Sequence, residues 1–147
     1  MMKPMLKKTT GVFAIAAVML FATSLMAQSP VGVWKTIDDE TGEAKSYVNI
    51  YESNGVLYGN IQKLLSPADQ GKLCDKCPGA SKNKPMEGLL IIWGLKKDGN
   101  EWTGGQIMDP KNGKVYSCKM HIEGNKLIVR GFLGFSLIGR SQTWHKL

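Results

Sequence analysis

From Ser29 onward, apolar and polar residues alternate along this chain, and clusters of turn-forming residues interrupt them at short, even intervals. The clusters are Asp38-Asp39-Glu40-Thr41-Gly42, Ser53-Asn54-Gly55, Lys97-Asp98-Gly99-Asn100, Asp109-Pro110-Lys111-Asn112-Gly113 and Glu123-Gly124-Asn125. Asn-Gly and Asp-Gly supply the positive φ angles that tight hairpins need. Such spacing argues for an antiparallel meander, not for βαβ units. Between the turns the pattern predicts eight strands, over 31–37, 44–52, 55–63, 88–95, 101–109, 113–122, 126–132 and 138–146. β-Branched and aromatic residues dominate several of them. No stretch beyond residue 28 keeps a helical period over three turns.

Successive side chains of a strand point to opposite faces. In the sixth strand Tyr116, Cys118, Met120 and Ile122 share a buried side, opposite Val115, Ser117, Lys119 and His121. In the eighth, Arg140, Gln142 and Trp144 point inward with Trp34 of the first strand. In the second, Val48 and Ile50 oppose Tyr47, Asn49 and Tyr51, and a slip of one residue exchanges the two sides, so its inward face stays open. The fold class is therefore all-β: an eight-stranded antiparallel up-and-down barrel. Closure pairs the last strand with the first. Arg140 is expected to lay its guanidinium across the indole of Trp34 and so close one end.

Residues 64–87 break the rhythm with Pro67, Gly71, Pro78, Gly79, Pro85 and the motif Cys74-Asp75-Lys76-Cys77. Connections this long are usually functional or disordered, and a local disulfide would favour an ordered one. Ser66-Pro67 suits the start of a short helical turn. Lys72, Lys76, Lys82 and Lys84 face Asp69, Asp75 and Glu87 along this loop. They are a solvated surface or, if the loop folds over a barrel mouth, an attraction for an anionic headgroup.

Residues 1–27 read as a secretory signal peptide. Lys3, Lys7 and Lys8 precede an apolar run from Gly11 to Ala22, and Ala27 offers a small residue at the cut. Twelve residues are fewer than the roughly 20 that span a bilayer, although an uncleaved N-terminal anchor is the alternative. The expected mature unit, 28–147, is a single β-barrel domain without a transmembrane span, periplasmic or secreted. Removing the three leading lysines lowers the formal charge from +7 to +4. That mild balance, without a clustered basic face, argues against a nucleic-acid partner.

Several motifs together resemble a known family. They are Gly32-Val33-Trp34, Cys74-x-x-Cys77, Lys84-Pro85-Met86-Glu87-Gly88-Leu89, Gly105-Gln106-Ile107-Met108-Asp109-Pro110, Gly113-Lys114-Val115-Tyr116, Leu127-Ile128-Val129-Arg130-Gly131 and Gly139-Arg140-Ser141-Gln142-Thr143-Trp144. The chain is similar in these to the bacterial domain of unknown function 2147 family. The Trp34 start and late Arg140 also resemble the calycin barrels, lipocalins and fatty-acid-binding proteins among them. The first resemblance implies an exported small β-domain and brings no activity with it. Lys146 supplies a base after the last Trp.

Candidate chemistry is sparse. Cys74 and Cys77 suit a disulfide that shapes the loop, with a redox couple as the alternative. Cys118 reads as a buried thiol. Zinc at Cys74, Cys77, Cys118 and His121 has plausible spacing, but residues 118 and 121 of one strand face opposite ways. No catalytic constellation, metal site or cofactor site emerges. Gly131–Leu137 is a barrel-end turn that packs on the core or a flexible portal. The leading expectation is a binding barrel for a small apolar or amphipathic ligand, such as a fatty acid or lipid fragment. Its candidate ligand-binding residues are Trp34, Tyr47, Tyr51, Tyr58, Tyr116, Met120, Arg130 and Arg140. The alternative is a filled, ligand-free envelope protein that acts through its surface on a partner the sequence does not name.

Overall fold

The computed structural model describes residues 2–5, 11, 17–19, 28–134 and 138–147. Most of the segment read as a signal peptide, and residues 135–137 of the apolar turn, lie outside them. The strands are β1 (Gly32–Ile37), β2 (Ala44–Ser53), β3 (Val56–Leu64), β4 (Leu90–Asp98), β5 (Glu101–Asp109), β6 (Lys114–Glu123), β7 (Lys126–Phe132) and β8 (Gly139–Lys146). Each pairs antiparallel with the next, and β8 returns to β1 to close the barrel. The eight predicted strands are all present. At the β2–β3 turn both central residues, Asn54 and Gly55, have positive φ (51° and 77°), as the tightest hairpins require.

β4 departs most from its predicted bounds, running three residues past Leu95. Gly94 is the reason. Its φ of 78° lets the strand bulge and resume pairing, from Trp93↔Gln106 to Lys96↔Thr103. A side chain there would strain the left-handed backbone.

One half of the interior is filled. Trp34, Ile50, Leu57, Leu95, Met120 and Leu127 are all buried there. Buried Pro30 lies beneath them and accepts a 2.7 Å hydrogen bond from the Trp34 indole N–H. β1 meets β8 only through Trp34↔Lys146 and Lys35↔His145. That register overturns the expected contact of Arg140 with Trp34. Lys146 is the cation over the indole, 5.8 Å from the ring centroid. Arg140 precedes it by six residues, about 20 Å of extended strand, and so stands at the other end of the barrel.

Register also settles the inward face of β2. Val48 pairs with buried Trp34, and directly opposite residues share a face. Ser46, Val48 and Ile50 therefore point inward and are buried. Tyr47 and Tyr51 point outward, which corrects their expected place in the interior. Tyr58 is outward too, since its neighbours Leu57 and Gly59 are the buried positions of β3. Tyr51 and Tyr58 stack on the outer wall with ring centroids 5.7 Å apart. In β6 Cys118 and Met120 are buried, on the side the alternation predicts.

The long loop is ordered. A 3-10 turn, Pro67–Asp69, has Ser66 at its cap position, although the Ser66 side chain makes no capping bond. Beyond it the chain doubles back in a miniature hairpin. Cys74 N–H donates to the Lys84 carbonyl (2.8 Å), Asn83 N–H to the Cys74 carbonyl (2.8 Å) and Met86 N–H to the Lys72 carbonyl (2.9 Å). Cys74 and Cys77 form the expected disulfide and are both buried. Gly113 of the β5–β6 turn lies so close to the Lys76 carbonyl that a Cβ would overlap it. Loop and turn are therefore docked on one another. Among the described residues no helix is long and apolar enough to cross a membrane.

Candidate functional site

Three connections, residues 38–43, 65–89 and 110–113, gather at the end away from Trp34, together with Leu133, Gly134 and Ile138 after β7 and before β8. Between them the barrel opens into a cavity of about 1020 Å³. That is ample for a small organic ligand, whose pockets run to roughly 300–1,000 Å³. A second cleft beside Trp102, at the closed end, holds about 180 Å³ and falls below that range. The inner wall of the cavity is mostly apolar, with Val48, Ile61, Leu64, Ile107, Val129 and Trp144 among its residues. These are inward residues from the mouth-side and middle parts of the strands, with Trp144 the deepest of them on β8. The closed-end layer of large side chains forms the floor.

Charged and polar residues ring the mouth, and a few polar groups reach the inner wall. Thr36 and Ser46, paired across β1 and β2, bring their hydroxyl oxygens to 2.7 Å. Gln142 of β8 donates from Nε2 to Asp39 Oδ2 (3.2 Å) and accepts at Oε1 from the Trp144 indole N–H (3.2 Å). Arg140 Nε lies 3.3 Å from the same Asp39 oxygen. Since β1 and β8 share two paired positions at the closed end, these side chains bridge the seam at the mouth.

Asp38 anchors the β1–β2 turn. Its Oδ1 accepts from the N–H groups of Glu40 (2.9 Å) and Thr41 (3.0 Å), while Lys45 (3.2 Å) and Lys111 (3.8 Å) approach Oδ2. The Thr41 and Glu40 amides, then Lys45, hold its carboxyl well below the usual carboxylate range. This carboxylate is committed to the turn, and from the docked loop Lys72 pairs with Asp69 at 3.5 Å.

Of the residues the sequence singled out, Tyr116 and Arg140 line the cavity. Trp34 and Met120 are interior but belong to the filled half. Tyr47, Tyr51 and Tyr58 stand on the outer wall, as does Arg130, whose Nη1 donates to Ser141 Oγ (3.3 Å) across β7 and β8. Thr36, Ser46 and Asp39 were not singled out as site residues. Counting two residues on from Trp34 places Thr36 inward, but Ser46 becomes visible only through its pairing with Thr36. Cys118 is buried, and burial pushes its thiol up to about 12. His121 lies on the opposite face of β6 with Glu123 at 3.0 Å. Cys74 and Cys77 are bonded to each other. Among the described residues no three His, Cys, Asp or Glu side chains are grouped to hold a metal.

A closed eight-stranded meander, filled at one end and hollow at the other, is a lipocalin-like barrel. The chain belongs to the family DUF2147, described as an uncharacterized protein conserved in bacteria, whose model matches residues 32–146. Among solved structures it is similar to protein HP1028 from the human pathogen Helicobacter pylori, described as belonging to the lipocalin family. The TM-score is 0.72 at 20% identity, covering 81% of this chain and 83% of that one. At that identity the likeness speaks for the fold. Among curated proteins no sequence matches this one.

Proposed function

We propose that this protein is an exported barrel that binds a small apolar or amphipathic molecule of the lipid-fragment class. The observation that carries the reading is the open cavity, apolar on its inner wall and polar at its mouth, above a packed floor. A barrel that acts only through its surface has no need of such a volume, since eight strands leave an interior that side chains can fill. The signal-peptide pattern of residues 1–27 supports export to the periplasm or beyond. Cys74–Cys77 then serves as a clip on the mouth loop, in keeping with an oxidising compartment.

The test is uptake of a neutral fluorescent naphthylamine dye by the purified protein, compared with Ile61→Trp and Val129→Trp variants that fill the cavity from opposite walls. Saturable binding by the parent, reduced at least tenfold in whichever variant keeps the parent's β-sheet spectrum, is the expected result. Undiminished binding in a folded, filled variant would place the dye elsewhere and remove the support for an internal site.

A further inference from the structure

The distribution of charge around the cavity narrows the ligand, on the reading that the barrel carries one. Every charged side chain lining it belongs to a mouth loop or to the mouth-side end of a strand, as Lys45, Asp109 and Arg140 do. These charges are of both signs and are largely engaged with one another: Asp38 with Lys45 and Lys111, Asp39 with Arg140, Asp69 with Lys72. The neighbours Asp75 and Lys76 make no ion pair among the described residues, and both are exposed to solvent.

Deeper in, the polar groups are uncharged. The Thr36 and Ser46 hydroxyls satisfy each other, and Gln142 spans Trp144 and Asp39. Tyr116 is different. It is half-buried, it lines the cavity, and its hydroxyl has no hydrogen-bond partner among the described residues. It stands two residues inside β6, about 7 Å below the rim of the strand. Trp144, five residues into β8, lies about 10 Å deeper by the same measure. A hydroxyl so placed calls for water or a ligand atom.

An ionised headgroup drawn to the level of Tyr116 would shed its water without meeting a counter-charge, which is strongly unfavourable. At the rim it would compete with existing ion pairs or meet groups such as Lys76 that stand in solvent, where water and salt weaken the attraction. An uncharged oxygen-bearing head needs only a hydrogen bond, and Tyr116 offers one. We propose that the cavity selects amphiphiles of no net charge, with the tail directed to Val129 and Trp144 and the polar head at the Tyr116 hydroxyl.

Three ligands with tails of equal length test this: 1-decanoylglycerol (neutral), decanoate (anionic) and decyltrimethylammonium (cationic), titrated calorimetrically into the purified protein at pH 8. The neutral compound is expected to bind at least tenfold more tightly than either ion. Tyr116→Phe is expected to weaken it about fivefold, the loss of one neutral hydrogen bond, and to leave the ions unaffected. Its thermal melting should match the parent, since no partner among the described residues is lost. Tighter or equal binding of either ion overturns the proposal, as does a Tyr116→Phe variant that binds the neutral compound unchanged. Failure of all three ligands while the neutral dye still enters the cavity defeats this inference alone. Exclusion of the dye as well defeats the carrier reading beneath it.

Discussion

The Lys146 ammonium stands 5.8 Å from the centroid of the Trp34 ring, whose indole N–H is bonded to the Pro30 carbonyl below. Together the three residues plug the closed end. Arg140, on the same strand as Lys146, serves the opposite end through Asp39.

This division of labour predicts separable effects. Trp34→Ala should cost about 3–5 kcal/mol, the usual penalty for removing a buried Trp. Lys146→Met should cost no more than about 1 kcal/mol, the scale of an exposed cation–π contact. Arg140→Ala should stay within about 0.5 kcal/mol, since its ion pair with Asp39 is solvent-exposed. Urea unfolding midpoints with unchanged slopes decide the matter. An Arg140→Ala loss as large as that of Trp34→Ala would contradict the register found for β8.

Gly113 is the contact point between the β5–β6 turn and the disulfide-bearing loop. Gly113→Ala should destabilise by roughly 1–3 kcal/mol from its positive φ alone, and overlap with the Lys76 carbonyl should lift the loop. Hydrogen exchange followed by mass spectrometry should then show faster exchange in residues 65–89, with the β1–β3 amides unchanged. Faster exchange throughout the barrel would mean that the loop is integral to the fold.

The disulfide closes a small ring, so its stabilisation through the unfolded chain is limited to about 2 kcal/mol. A Cys74→Ala/Cys77→Ala double variant is therefore expected to fold with its barrel intact, which near-ultraviolet circular dichroism would report. An unfolded double variant would assign the clip a larger role than ring closure provides.

Asp38 makes stability pH-dependent in a stated direction. Its carboxyl is held below the usual range in the fold, so the associated stability is present above the ordinary Asp value near 4. It is lost as the pH falls from there toward the depressed folded value. Melting temperatures measured from pH 6 down to pH 2 should fall more steeply for the parent than for Asp38→Asn. Parallel curves would show that the Thr41 and Glu40 amides do not discriminate carboxylate from amide.

Cys118 should behave as an inert core residue. With its thiol pushed up to about 12 by burial, it should resist iodoacetamide at pH 8 in the native protein and react once in urea. Rapid labelling of the folded protein would reveal an opening of β6.

Much of the barrel could be read from local sequence, because turn chemistry and side-chain period act over a few residues. Asn54-Gly55 and Gly124-Asn125 mark hairpins with or without the remaining strands, and β6 shows its buried side through Cys118 and Met120. Cys74 and Cys77 were close enough for their bond to be expected from spacing. What spacing could not decide was which residues stand opposite one another across the barrel. The inward face of β2 followed from the pairing of Val48 with Trp34, and that pairing sent Tyr47 and Tyr51 to the outer wall. Closure is the least local decision, since β1 and β8 lie at opposite ends of the barrel sequence. It set Lys146, rather than Arg140, over Trp34 and left Arg140 and Gln142 to meet Asp39 at the mouth. Local sequence therefore determined the strands and their turns. Register and closure, which depend on all eight strands at once, decided that the barrel is filled at one end and hollow at the other.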